Sequence, residues 1–157
     1  MDAPVVCAPP RFGADTLVFG IGNSARGDDG LGWAFLERAQ ELPGFRAQAE
    51  YRYQLQVEDA LLVARFRCVV FVDASRDRLP EGFRWTRCRA RAAPAFTTHA
   101  LPPAAVLHYS QSLYTATPDA WLLALQGYHW GLHEGLSAGA ADNLAAALDS
   151  CRDAVPA

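Results

Sequence analysis

Thr16-Leu17-Val18-Phe19-Gly20-Ile21 runs directly into Gly22-Asn23-Ser24-Ala25-Arg26-Gly27-Asp28-Asp29-Gly30, and this junction decides the fold. A continuous apolar run ending in glycine is what a strand buried on both faces needs. Beyond the loop, Leu31, Phe35, Ala39 and Leu42 recur at helical spacing until Pro43-Gly44 stops the helix. The alternation continues outward. Residues 46–53 predict a second strand, 57–66 a helix, and Cys68-Val69-Val70-Phe71-Val72 another buried strand. Residues 83–88 alternate in polarity and predict a more exposed strand. A loop over 89–98 leads to a helix over about 102–113, with Pro102 and Pro103 acceptable in its first turn. Residues 120–125 predict a further buried strand. Ser137 then caps a last helix whose expected inward stripe is Ala141, Leu144, Ala145, Leu148 and Cys151. Strands alternating with helices imply right-handed crossovers and a mostly parallel sheet covered on both faces. The expected architecture is a single three-layer α/β/α domain over 16–157. Residues 1–15, interrupted by Pro9, Pro10 and Gly13, read as a flexible N-terminal tail.

Composition narrows the function. The 157 residues suit one domain and leave no room for separate cofactor and substrate domains. All 14 basic side chains are arginine, so a P-loop lysine and Schiff-base chemistry are excluded. A formal net charge of −3 gives no electrostatic reason to bind nucleic acid or an anionic membrane. No run approaches the roughly 18 apolar residues of a membrane span, and the N-terminus lacks the basic region of a signal peptide. Cys7, Cys68, Cys88 and Cys151 form no C-x-x-C pair. These features favour a soluble, cytoplasmic protein.

In open parallel sheets ligands sit at the carboxyl ends of the strands. Three segments lie there: the loop holding Asp28 and Asp29, Asp73 after the Cys68–Val72 run, and Thr97-Thr98-His99. If the strands are neighbours, two carboxylate positions and one imidazole converge on one crevice. Such a mixed oxygen and nitrogen set suits a borderline divalent metal, and equally suits carboxylate-assisted attack of water on an amide. Simpler roles exist for each: Asp29 as a helix cap, Asp73 as an Asx-turn residue, His99 as an ordinary loop residue. Gly20-x-Gly22-x-x-Ala25 also satisfies a dinucleotide fingerprint, although Asp28 and Asp29 at the helix start would repel a diphosphate. The arginine-rich stretch from Arg76 to Arg91 reads as a solvated loop and edge strand, or as a docking face for an acidic partner. Trp33 falls off the apolar stripe of its helix, either packed under a loop or exposed to a partner. Ser24, Ser75 and Ser137 lack the context of a nucleophile elbow.

The ordered set Gly20-Ile21-Gly22-Asn23, Gly27-Asp28-Asp29-Gly30-x-Gly32, Val70-Phe71-Val72-Asp73-Ala74-Ser75 and Thr97-Thr98-His99-Ala100-Leu101 resembles the hydrogenase maturation proteases. Gly127 and Gly135-Leu136-Ser137 fit the same pattern. The run Tyr53-Gln54-Leu55-Gln56-Val57-Glu58 is similar to members serving NAD-reducing bidirectional nickel–iron hydrogenases. The resemblance spans about residues 16–151. It implies a three-layer α/β fold and an endopeptidase that removes a C-terminal extension from the hydrogenase large-subunit precursor after nickel insertion. It also implies that Asp29, Asp73 and His99 contact nickel carried by the precursor, with Asp73 as a candidate general base. Asp28, the adjacent acid of the motif, is a further candidate for that set. Two other functions fit the residues: a metal-sensing assembly chaperone that does not cut, and a nucleotide-binding Rossmann-like protein.

Overall fold

In a computed structural model that describes residues 9–93 and 101–152, five strands form one sheet in the order β2-β1-β3-β5-β4. They are β1 (Thr16–Ile21), β2 (Gln48–Arg52), β3 (Cys68–Ser75), β4 (Phe83–Arg87) and β5 (Asp119–Gln126). β1 pairs in parallel with β2 and β3, and β3 pairs in parallel with β5; β4 is an antiparallel edge strand on β5. The helices are α1 (Leu31–Ala39), α2 (Asp59–Val63), α3 (Pro103–Tyr114) and α4 (Ala138–Ser150).

The alternation of strand side chains builds two cores, one on each face. Val18, Val70, Val72, Leu123 and Leu125 point to one face, where they meet Leu31, Phe35 and Leu36 of α1 and Ala140, Leu144 and Ala147 of α4. Leu17, Phe19, Ile21, Val69 and Phe71 point to the other, against Ala60 and Val63 of α2 and Val106 and Leu107 of α3. This is the expected three-layer sandwich with a mostly parallel sheet.

Several details differ from the sequence reading. The α4 stripe is Ala140, Leu144, Ala147, Leu148 and Cys151, while Ala141 and Ala145 are exposed. The helix is alanine-rich on every side, so the apolar pattern alone does not fix its phase. Within the segment read as a tail, Phe12 is completely buried, stacks on Phe45 at 5.4 Å and lies 6.4 Å from Trp85. That part of the segment is therefore packed into the domain, and its backbone carbonyl accepts a hydrogen bond from the Arg46 N–H at 2.9 Å. α1 ends at Ala39, with Leu42 packing on the core just beyond it. Trp33 is packed, not free: its indole N–H donates to the Arg52 carbonyl at 3.0 Å and its ring lies against Tyr51 and Tyr53.

Candidate active site

β1 and β3 are hydrogen-bonded neighbours, and the chain leaves them toward opposite sides of the sheet. This is the switch point at which open α/β sheets leave a crevice. The loop after β1 closes with a single 3₁₀ turn, Gly27–Gly30, that leads straight into α1. Asp29 sits in that turn. Asp73 lies on β3, opposite Ala124 of β5, because the strand continues to Ser75 instead of ending at Val72 as expected.

Asp29 and Asp73 open into one cavity of about 650 Å³, whose wall also includes Arg26, Arg76, Tyr53 and Trp130. Burial pushes the Asp73 carboxyl up to about 7, and the neighbouring Asp29 charge adds to the rise against a backbone N–H from Ala74. Burial also raises Asp29, but Arg26, Arg76 and the Asn23 N–H each pull it back down. Both carboxyls are thus raised, and Asp73, at about 7, can act as acid or as base near neutral pH. Neither acid takes the simpler structural role open to it. Neither the 3₁₀ turn nor α1 has a side-chain cap bond, so Asp29 is not a helix cap. Asp73 does not close a turn; the Ser75 hydroxyl does so, accepting from the Asp77 N–H at 3.1 Å.

Asp28 has a different task from its neighbour. It is completely buried, and its carboxylate accepts four hydrogen bonds. The N–H groups of Tyr128 (2.7 Å) and His129 (3.0 Å) and the Ser137 hydroxyl (2.7 Å) converge on Oδ2, while the Ser137 N–H (2.8 Å) reaches Oδ1. Burial alone would raise its pKa; those hydrogen bonds hold it below the ordinary value. With both oxygens engaged, Asp28 is a clamp on the 127–137 loop and not part of the open pair. The Gly27 N–H donates to the His133 carbonyl at 2.7 Å, and the Asp28 N–H to that of His129 at 2.8 Å. Gly127 belongs to the same device, since a Cβ there would lie 2.7 Å from the Asp28 Cβ.

His99 lies outside the described residues. Among the described residues no three His, Cys, Asp or Glu side chains gather as a metal-holding group. Asp29 and Asp73 supply two carboxylate donors. The fingerprint glycines are explained by the chain's own packing: a Cβ on Gly20 would lie 2.7 Å from the Gly32 carbonyl oxygen, and one on Gly22 would collide with that of Asp29. Trp130 is the wall residue that sequence reasoning missed; nothing local marks it, because its place depends on the Asp28 clamp. His133 and Glu134 are exposed, as a solvated turn requires.

No family model matches the chain, and no curated protein matches it by sequence. Its fold is nevertheless shared with several solved structures. The [NiFe] hydrogenase maturation protease HycI from Thermococcus kodakarensis KOD1 superposes with a TM-score of 0.70 at 25% identity, over 90% of this chain and 92% of that one. The hydrogenase maturating endopeptidase HybD from E. coli gives 0.63 at 21% identity, over 88% and 92%. The hydrogenase 2 maturation peptidase from Thaumarchaeota archaeon SCGC_AB-539-E09 gives 0.63 at 18% identity, over 88% and 96%. The five-stranded, mostly parallel α/β domain is thus the fold of the hydrogenase maturation proteases.

Proposed function

We propose that this chain is an endopeptidase that removes the C-terminal extension of a nickel–iron hydrogenase large-subunit precursor after nickel has been inserted. The observation that carries the reading is the meeting of Asp29, from the turn that follows β1, and Asp73, from the neighbouring strand β3, in one cavity of a fold shared with such proteases. The resemblance of the Tyr53–Glu58 run directs the proposal toward the precursor of an NAD-reducing, cytoplasmic hydrogenase. Among the described residues no helix is long and apolar enough to cross a membrane.

Nickel enters this scheme as part of the substrate. Asp29, Asp73 and His99 would add carboxylate and imidazole contacts to a nickel ion still accessible in the immature precursor. A precursor without nickel would forfeit that binding energy, which couples cutting to metal loading. In the cleavage step a water oxygen bonds to the scissile carbonyl carbon and gives its proton to an ionised carboxylate of the pair. The carbonyl π electrons move to oxygen. Collapse then breaks the C–N bond, and the protonated carboxyl returns the proton to the leaving amine.

The test is incubation of purified protein with nickel-loaded and nickel-free precursor, read as C-terminal shortening by mass spectrometry. Loaded precursor should be cut and nickel-free precursor spared. Asp73→Ala and Asp29→Ala should each abolish cutting. Stable binding to loaded precursor without cleavage, under conditions where the hydrogenase matures, would replace the protease reading with a metal-sensing chaperone.

A further inference from the structure

The cavity that holds the two aspartates is also lined by a cation that is not locked into an ion pair: the charge of Arg76 lowers the pKa of Asp29, but among the described residues no carboxylate lies within ion-pair distance of it. Arg76 lies at the mouth of the cavity, three residues beyond Asp73. Its guanidinium carbon sits 4.4 Å from the centre of the Trp130 ring. Stacking of this kind fixes the plane of an arginine while leaving its N–H groups free to donate. Trp130 is itself placed by a rigid device, since Asp28 binds the two N–H groups immediately before it, those of Tyr128 and His129.

We propose that Arg76, stacked on Trp130, is the group that binds the scissile carbonyl oxygen and stabilises the negative charge it gains in the Asp29/Asp73 cavity. The inference rests on the peptidase reading above and adds to it the electrophilic side of the site. Two carboxyls can move the protons of an amide hydrolysis, but the one that is ionised repels the oxygen that becomes anionic, and neither brings a positive charge to it. A fixed, charged donor on the cavity wall supplies what they lack, and such donors are commonly the largest single contribution to acyl-transfer rates. Arg26 shares the wall and its charge also lowers the Asp29 pKa, but of the two arginines lining the cavity Arg76 is the one that lies over a ring among the described residues. Trp130 is a positioning residue, acting through Arg76.

The experiment compares wild type, Arg76→Gln, Arg76→Ala, Arg76→Lys and Trp130→Phe on nickel-loaded precursor, with kcat and KM separated. Arg76 is exposed, so all its variants should melt at the wild-type temperature. Arg76→Gln should lower kcat by about 10²–10³-fold with KM nearly unchanged, the size of effect seen when one oxyanion donor is removed. Millimolar guanidinium should restore part of the activity of Arg76→Ala but not of Asp73→Ala. Arg76→Lys should fall between wild type and Arg76→Gln, and Trp130→Phe, which keeps a ring under the guanidinium, should stay within about tenfold of wild type. Undiminished kcat in Arg76→Gln, or a rise in KM alone, would overturn the role of Arg76 while leaving the peptidase reading intact. Failure of the wild-type protein to cut would overturn both.

Discussion

Replacing Asp73 by asparagine should make the protein more stable, and increasingly so as the pH rises. Asp73 titrates at about 7 in the fold against an ordinary value of 3.8. Below about pH 4 its carboxyl is neutral in both folded and unfolded chains and carries no penalty. Between about 4 and 7 the folded state binds the proton that the unfolded chain releases, so stability falls as pH increases; above about 7 the loss is complete. About three pH units at about 1.4 kcal/mol each set a ceiling of about 4 kcal/mol, and water reaching this half-buried group brings the working figure nearer ~2–4 kcal/mol. Asparagine keeps the shape and an oxygen for the Ala74 N–H, and removes both the charge and its repulsion of Asp29. Urea unfolding of wild type and Asp73→Asn at pH 4, 6 and 8 reads the difference directly. It should grow from under about 1 kcal/mol at pH 4 to ~2–4 kcal/mol in favour of the variant at pH 8. A variant no more stable than wild type at pH 8, or an advantage independent of pH, would refute the assignment of burial and Asp29 as the causes of the raised pKa. The expected gain in stability with loss of cleavage is the trade typical of a functional acid.

The other expectations concern the scaffold. Asp28→Ala leaves three N–H groups and a hydroxyl without their acceptor and should cost roughly 2–4 kcal/mol, with lost hydrogen-exchange protection at Tyr128, His129 and Ser137. Asp29→Ala should cost far less, and equal losses for the two would contradict the division of labour between them. Gly22→Ala, at φ 141° with the Asp29 carbonyl in the way, should destabilise by more than about 2 kcal/mol, whereas Gly131→Ala, with nothing within 4 Å of its new methyl, should stay within ~0.5 kcal/mol in thermal melts. Burial pushes the Cys88 thiol up to about 11 and that of Cys151 to about 12, so in the folded protein at pH 8 both should resist iodoacetamide, and peptide mapping should find them alkylated only after unfolding.

The centre of the sheet was legible because β1 and β3 are largely buried and, with β5, read as unbroken apolar runs. β1, β3 and β5 lie within a residue or a few of their expected bounds. Asp29 and Asp73 were legible for a topological reason, since strand ends at a switch point are where a crevice must be. The fate of Phe12 was not. Prolines and a glycine around it suggest an irregular tail, and only the distant rings of Phe45 and Trp85 make it core. Nor does sequence distinguish Asp28 from Asp29. Two identical neighbours are turned to opposite tasks by one 3₁₀ turn. Arg76 and Trp130 stand 54 positions apart, and their contact exists only after both loops are fixed.

The inequivalence of the two adjacent acids explains how a site with unfavourable electrostatics can persist. Asp73 and Asp29 repel one another across one partly buried cavity, and the repulsion would ease if the walls drew apart. What opposes that relaxation lies next door in the chain. Asp28 is as buried as any core residue, yet its four hydrogen bonds are charge-assisted and stronger than ordinary ones. They tie the turn carrying Asp29 to the loop carrying Trp130, and Trp130 in turn holds Arg76 over the same cavity. Moving Asp29 away from Asp73 would therefore strain a fully satisfied buried carboxylate, and that cost opposes the relief of the repulsion. The Gly27-Asp28-Asp29-Gly30 motif thus couples an acid that fixes the frame to an acid that the frame keeps under tension.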